Sequence, residues 1–370
     1  MRIGIDAAPL VGNRGGVGWH TFHLIQALLN LKEDIEFVGY MRPGSLSRMR
    51  DEECYAGLAV RWAETSQWAF RRRGAHDALD LYHGTNFKMQ TTGRFGGIVT
   101  VHDLWMDRFP QYSRKLFGQR WSFYRAKRTM SKARKVMTVS EYSAQDIATL
   151  YGVPREKVAV IYNGVSDAFR PFSDPARLSQ LRDRFAWPTD RFILFAGGAD
   201  PRKNHRALLE AYAMRAAQLR SHCLIMLGAP THRFGNIHDS AKALGLSDRV
   251  VCAGHLSAEE LRVLYAHADL FAFPSLYEGF GMPVLEAMAC GAPVITSATT
   301  SLPEVAGDAA VLIDPHFPEQ LAEALVRVLT DRALRETLQA KGFERAKQFT
   351  WERAARRTLA VYREVCRGNR

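Results

Sequence analysis

Short apolar runs alternate with helical stretches along almost the whole of this 370-residue chain, and the pattern starts twice. MRIGIDA reads as a strand, and the loop GNRGGVGWH leads from it into the helical run TFHLIQALLNL. EFVGYM, LDLYHG, GGIVTVHDL, KVMTVS and VAVIYNG follow as short strands separated by helical segments. The second half opens again on strand, glycine loop and helix with RFILFAGGADPRKNH. It continues through SHCLIMLG, RVVCAGH, DLFAFPS, PVITSA and AAVLIDP. A helix between two strands returns the chain to the same end of the sheet, so the strands run parallel and helices cover both faces.

The expected fold class is α/β: two Rossmann-like doubly wound domains facing a cleft. The polar passage VSDAFRPFSDPARLSQLRDRFAWP, residues 165–188, holds three prolines and is expected to connect them. That places one domain at 1–165, a linker at 166–188 and a second domain at 189–350, with a last helix at about 351–366 expected to pack back on the first. Ligands of open α/β sheets sit outside the carboxyl ends of the strands, so the active site is expected in the cleft.

Hydrophobic content of 47% is ample for such cores. Cys54, Cys223, Cys252, Cys290 and Cys366 are scattered, with no pair at metal-ligand spacing, which points to a reducing compartment and no zinc site. No apolar run approaches the roughly 18–20 residues of a membrane span. The expected location is cytoplasmic. Net charge is +12, and much of it lies in SRKLFGQRWSFYRAKRTMSKARK, residues 113–135, with nine basic residues and no acid. Phe117, Trp121, Phe123 and Tyr124 are interleaved at helical spacing. Three readings stay open there: a helix resting on an anionic membrane surface, an ordinary amphipathic helix whose aromatics are core, and nucleic-acid binding.

The chemistry concentrates in YEGFGMPVLEAMACGAPVI, residues 277–295. Gly279 and Gly281 leave loop N–H groups open, Pro283 suits a helix's first turn, and Gly291 suits its end. A glycine loop at a helix N-terminus is an anion site. Glu278 in the loop and Glu286 one turn into the helix are not phosphate ligands. Each is expected to accept hydrogen bonds from hydroxyls on either side of a diphosphate, as in a nucleotide sugar. A buried acid serving the loop and a solvated helix acid are the alternative.

Together these segments resemble the retaining glycosyltransferases of family four, of GT-B architecture, over essentially the whole chain. PSLYEGFGMPVLEAMACGAPVITSATTSLPEVAGDAAVLIDP carries that likeness most specifically, through two glutamates separated by seven residues. FAGGADPRKNH, VVCAGHLSAEEL, TVSEYS and VIYNGV match in order. The resemblance implies that Lys203 reaches the donor's diphosphate, with Arg202 beside it. Glu286 holds the ribose, and Glu278 lies near the transferred sugar. The N–H groups of Gly279, Phe280 and Gly281 meet sugar and phosphate. Gly16 and Gly18 approach the same phosphates, unless they only form a tight turn. His102 is assigned to the transferred sugar near the reacting carbon. Asp103 orients its loop, and Asn86 lies on the acceptor side. The backbone of Gly254 and His255 reads the base, while Glu260 caps the next helix. The family often has arginine where Gly198 stands, so one phosphate contact is missing.

The forms HGTNF and PRKN are most similar to bacterial mannosyl- and rhamnosyltransferases that build O-antigens. GDP-mannose or GDP-rhamnose is thus the implied donor and a lipid-linked glycan the implied acceptor, with a UDP-sugar donor as alternative. No cofactor is expected. No Asp-x-Asp triad occurs, so a metal-held diphosphate is not expected and the leaving charge falls to Lys203, the helix dipole and backbone N–H groups. Retention is expected from same-face attack, the leaving phosphate taking the acceptor's proton. A sugar phosphorylase or epimerase shares the architecture, but no segment matches a pyridoxal phosphate lysine. A nucleic-acid-binding protein explains the charge and leaves the Glu278–Glu286 loop unexplained. The expected partners are nucleotide sugar, lipid-linked acceptor and the inner face of the cytoplasmic membrane, not nucleic acid.

Overall fold

The computed structural model describes residues 1–12, 15–50, 58–66, 69–89, 96–112, 116–197, 200–228, 237–254 and 256–368; at 49, 50, 71, 112 and 116–121 it describes the backbone alone. The chain divides into two units, Met1–Gly164 with Thr350–Arg370, and Val165–Phe349.

In the first unit, β1 (Arg2–Asp6), β2 (Glu36–Met41), β3 (Val60–Glu64), β4 (Leu81–Gly84), β5 (Gly96–Val101), β6 (Lys135–Thr138) and β7 (Val158–Val160) form one sheet in the order β3-β2-β1-β4-β5-β6-β7. Every pairing is parallel, with Ile3 aligned on Phe37 and on Leu81. Strands such as RIGID and GGIVTV are apolar on both sides because helices cover both faces. Phe22 and Ile25 of the helix Gly16–Asn30 pack with Ile5 and Leu10. Ala126 and Met130 of Leu116–Lys132, with Ile147 of Glu141–Tyr151, pack with Val99 and Val136. The helix Trp351–Arg367, capped by Thr350, completes this unit: Glu364 pairs with Lys135 at 2.8 Å, and buried Tyr362 sets its hydroxyl 2.7 Å from His83 Nδ1.

The second unit holds β8 (Arg191–Ala196), β9 (His222–Leu227), β10 (Val250–Gly254), β11 (Leu270–Phe273), β12 (Val294–Ser297) and β13 (Val311–Ile313) in the order β10-β9-β8-β11-β12-β13, again all parallel. Ile193, Phe195, Leu224, Leu270 and Ile295 form its core with Leu208 and Leu325 of the covering helices. Strand order reverses between β1 and β4 in one sheet and between β8 and β11 in the other. These are the switch points where adjacent loops diverge and leave room for a ligand.

One boundary differs from the sequence reading. The passage 166–188 is not a connector but part of the second unit. Asp174 accepts from Arg177 N at 2.8 Å and Pro175 opens the helix Pro175–Phe185, both helix-start signals inside the proline-rich stretch. Leu181 is buried, Arg184 reaches Glu260 at 2.7 Å, and Trp187 packs 5.4 Å from Phe192. The chain leaves the first unit at Gly164 and re-enters it at Thr350.

Candidate functional site

In the second unit, the loops after β8 and β11 meet at the switch point. Asp200 Oδ1 accepts from Arg202 N at 3.0 Å and sets the turn Pro201–Lys203; Asn204, at φ 56°, then starts the helix His205–Met214. A Cβ on Gly197 would stand 2.8 Å from Lys203 Cγ, so the glycine lets the lysine stem lie along the strand end. Lys203 Nζ reaches Glu278 Oε1 at 2.6 Å and lies 4.9 Å from the Phe273 ring centroid. Fully buried Ser275 donates to the same Glu278 oxygen at 2.6 Å. Thr300 Oγ1 accepts from Glu278 N at 3.2 Å, and Ser301 Oγ lies 2.9 Å from both the Glu278 and Phe280 carbonyls. The loop is therefore pinned from three sides. Arg202 serves the same corner differently. Its carbonyl accepts from Leu276 N at 2.8 Å and its guanidinium lies 3.4 Å from Asp200.

The two glutamates sit in opposite surroundings. Burial is the strongest influence on Glu278 and pushes its carboxyl up. The charges of Lys203 and Arg202, with the Lys203 and Ser275 hydrogen bonds, outweigh it and hold the group below the usual carboxylate range. Glu286 lies in the helix Met282–Cys290, which Gly281 opens at φ 106°. Burial pushes its carboxyl up to about 7, opposed by the Tyr265 hydroxyl donating at 3.3 Å. Gly254 ends β10 at φ 66°, and its carbonyl already accepts from Gly228 N at 2.8 Å. Glu260 caps the helix Ala258–His267 in a reciprocal box with Ser257, at 2.9 and 3.1 Å. Gly198 and His255 lie outside the described residues.

In the first unit, His102 follows β5 and its Nε2 lies 2.8 Å from the Thr85 carbonyl. A carbonyl only accepts, so Nε2 carries the proton and Nδ1 keeps its lone pair. Burial lowers the pKa of His102, opposed by the Thr85 carbonyl and by Asp103. Asp103 Oδ1 accepts from Trp105 N at 3.3 Å, an orienting role. Asn86 forms an isolated bridge with Lys88 just past β4. Gly16 opens the first helix with nothing within 4 Å of where its Cβ would stand, and Gly18, two residues on, is buried. The switch point explains which loops converge within each unit; His102, Asn86, Asp103, Gly16 and Gly18 belong to the first unit and the glutamates and Lys203 to the second.

Sequence reasoning missed Ser275, Thr300, Tyr265, His20 and Asn163. His20 closes GNRGGVGWH, read as a loop; the structure places it inside the helix Gly16–Asn30, on the buried side with Leu24 and Leu28. Of the basic segment, Ser113–Lys115 and the side chains of Phe117, Arg120 and Trp121 lie outside the described residues. Phe123 stacks on Tyr151 at 4.5 Å, partly buried against the core, while Tyr124 is 63% exposed beside exposed Arg125, Lys127 and Arg128. The one described aromatic on the packed side thus packs against the core. No helix among the described residues is long and apolar enough to cross a membrane.

A lysine–glutamate pair beside a glycine-started helix, where a parallel sheet reverses its strand order, defines a ligand-binding doubly wound α/β protein. Residues 179–345 match the family model Glycosyl transferases group 1, and residues 14–169 match Glycosyltransferase Family 4. O-antigen chain mannosyltransferase B of Escherichia coli is 32% identical over 298 residues, covering 80% of this chain and 76% of that protein. The serotype-specific mannosyltransferase WbdA of Escherichia coli is 34% identical over 228 residues, 60% of this chain and 28% of that longer protein. Sucrose-phosphate synthase from Thermosynechococcus elongatus superposes with TM-score 0.79 at 22% identity, covering 100% of both chains, and shares the fold. The chain belongs to the group 1 and family 4 glycosyltransferases of GT-B architecture.

Proposed function

We propose that the protein transfers mannose, or the related rhamnose, from a GDP-sugar to a lipid-linked glycan with retention at the anomeric carbon and without a metal. The observation that carries the reading is the buried Lys203–Glu278 pair at the switch point beside the helix start at Gly281. The O-antigen mannosyltransferase relative supports the choice of sugar. Lys203 exchanges Glu278 for the donor diphosphate, since an ammonium on a flexible stem can re-aim between the two. Glu278, still held by Ser275, accepts from hydroxyls of the transferred sugar. Glu286 accepts from the ribose diol, with the helix dipole favouring the phosphates between them. His102 offers its Nδ1 lone pair to a sugar hydroxyl. The leaving phosphate takes the acceptor's proton. Tyr124 and the exposed cations around it face an anionic leaflet, each cation adding on the order of 1 kcal/mol at close approach.

A thermal-shift panel of GDP, GDP-mannose, UDP and UDP-glucose tests the donor. A ligand at about 100 times its dissociation constant stabilises by about 2.7 kcal/mol. A shift by UDP-sugars alone sinks the GDP assignment. Sedimentation with vesicles tests the leaflet: wild type is expected to follow anionic lipid, and the Arg125, Lys127 and Arg128 triple serine variant is not. Equal sedimentation of the two reduces the helix to structure.

A further inference from the structure

His20 is 4% exposed, in the second turn of the helix Gly16–Asn30, and the proposed chemistry makes no use of it. Its Nδ1 lies 2.7 Å from Asn163 Oδ1. Its ring meets that of His102 edge to face, at 4.6 Å and 80°, and meets Trp351 at 5.7 Å. The carboxamide oxygen accepts, so Nδ1 carries the proton and Nε2 holds a lone pair. That Nε2 is buried and has no partner among the described residues. A buried ring nitrogen left unpaired is a standing cost that phenylalanine in the same space would avoid. What histidine provides instead is the Nδ1–H anchor to Asn163, which fixes the ring plane. The ring also adds no charge beside His102. Burial, then the neighbouring His102, holds its pKa well below the usual histidine range, and an imidazolium would lack an acceptor at Nε2.

We infer that His20 is a positioning residue: tied to Asn163, its ring walls the His102 imidazole into the Nε2–H tautomer, with the Nδ1 lone pair held in one direction. The Thr85 carbonyl selects that tautomer, and the neighbouring His20 ring denies the imidazole the rotation about Cβ–Cγ that would carry Nε2 off that carbonyl. The consequence for turnover rests on the assignment of His102 to the transferred sugar; the consequence for the tautomer does not.

Ring-nitrogen NMR of histidine-labelled full-length protein, without substrate, reads the tautomer directly, His102 being identified by its loss in His102→Gln. His102 is expected as a single Nε2–H form in wild type. In His20→Ala, and in Asn163→Leu where the ring stays without its anchor, a mixture of tautomers is expected. GDP release from GDP-mannose should fall about 10- to 100-fold in both variants while KM for the donor stays within about twofold, the mark of misplacement rather than lost binding. Unchanged His102 nitrogens in folded His20→Ala and Asn163→Leu overturn the inference. If His20→Ala does not fold, Asn163→Leu alone decides. Wild type inert toward GDP-mannose, with the tautomer change still seen in the variants, means that the donor assignment has failed and the positioning of His102 has not.

Discussion

At the carboxyl ends of its two sheets the molecule handles buried polar groups in opposite ways. The second unit keeps an acid ionised, with Lys203 and Ser275 bonded to Glu278 and Arg202 adding charge. The first unit gathers neutral rings: His83 between Tyr362 and Thr100, His102 on the Thr85 carbonyl, and His20 on Asn163. Burial lowers the pKa of all three, that of His83 to about 3. A charged pair strands its partner's charge when one member goes. A neutral ring takes away a hydrogen bond and some packing. The charged pair is also the one that an incoming diphosphate can re-partner.

The largest expected effect therefore lies in the second unit. Lys203→Met leaves Glu278 buried with the Ser275 hydrogen bond and the Arg202 charge but without its ion-pair partner, and should cost about 3–5 kcal/mol in urea denaturation. Adding Glu278→Gln to that variant should restore part of the loss. His102→Leu, removing a neutral hydrogen bond, should cost about 1 kcal/mol. Equal losses for Lys203→Met and His102→Leu would erase the contrast. Turnover should sort the same residues by role. Glu278→Gln and His102→Ala are expected to lower GDP-mannose turnover about 100-fold with GDP affinity kept. Lys203→Met and Glu286→Ala should weaken GDP binding itself. Calorimetric GDP affinity at the wild-type level in Lys203→Met would remove the lysine from the diphosphate.

Glu286 and Glu278 should also answer pH in opposite senses. The folded pKa of Glu286 is raised from 4.5 to about 7. Between those values the folded protein binds a proton that the unfolded chain has lost, so its contribution is full below pH 4.5 and fades as pH rises through about 7. The shift corresponds to roughly 3 kcal/mol. Glu278 has a lowered pKa, so its contribution is present above the unfolded value and fades as pH falls through the folded one. Ribose hydroxyls donate to a carboxylate, so GDP binding should tighten from pH 6 to pH 8, about tenfold per unit well below the pKa and flat above it. Proton release should accompany binding near neutrality. Glu286→Gln should flatten both curves; a wild-type slope in that variant would place the titration elsewhere.

Much of this was legible in the sequence because parallel strands buried on both faces write themselves as apolar runs. β3, VRWAE, escaped because a sheet-edge strand carries Arg61 and Glu64 outward. Three prolines in 165–188 suggest a connector, but Asp174 and Pro175 together form a helix start that a count of prolines does not register. Lys203 and Glu278 were each named from their loops, yet their contact spans 75 residues and comes from the reversal of strand order, which no local pattern records. His20 and Asn163 are 143 residues apart, and each alone looks like ordinary filling. The basic segment 113–135 supports three readings because helical spacing places an aromatic such as Phe123 on a face without saying what covers it.

The smallest expected effects compare one device in two settings. Ser140 caps the helix Glu141–Tyr151 in the first unit by accepting from Ser143 N at 3.0 Å, and it is fully buried. Ser257 caps Ala258–His267 in the second by accepting from Glu260 N at 3.1 Å, and it is exposed. Removing either hydroxyl takes an acceptor from one helix-start N–H. At position 143 that N–H is shut away from water, so Ser140→Ala should approach about 2 kcal/mol. At position 260 water can take the hydroxyl's place, and the Glu260 carboxylate still accepts from Ser257 N and Arg184. Ser257→Ala should therefore cost about 0.5–1 kcal/mol. Urea midpoints at constant slope measure both. A Ser257 loss as large as that of Ser140 would mean that burial is not what separates the two caps, and that the reciprocal glutamate bond depends on the serine it faces.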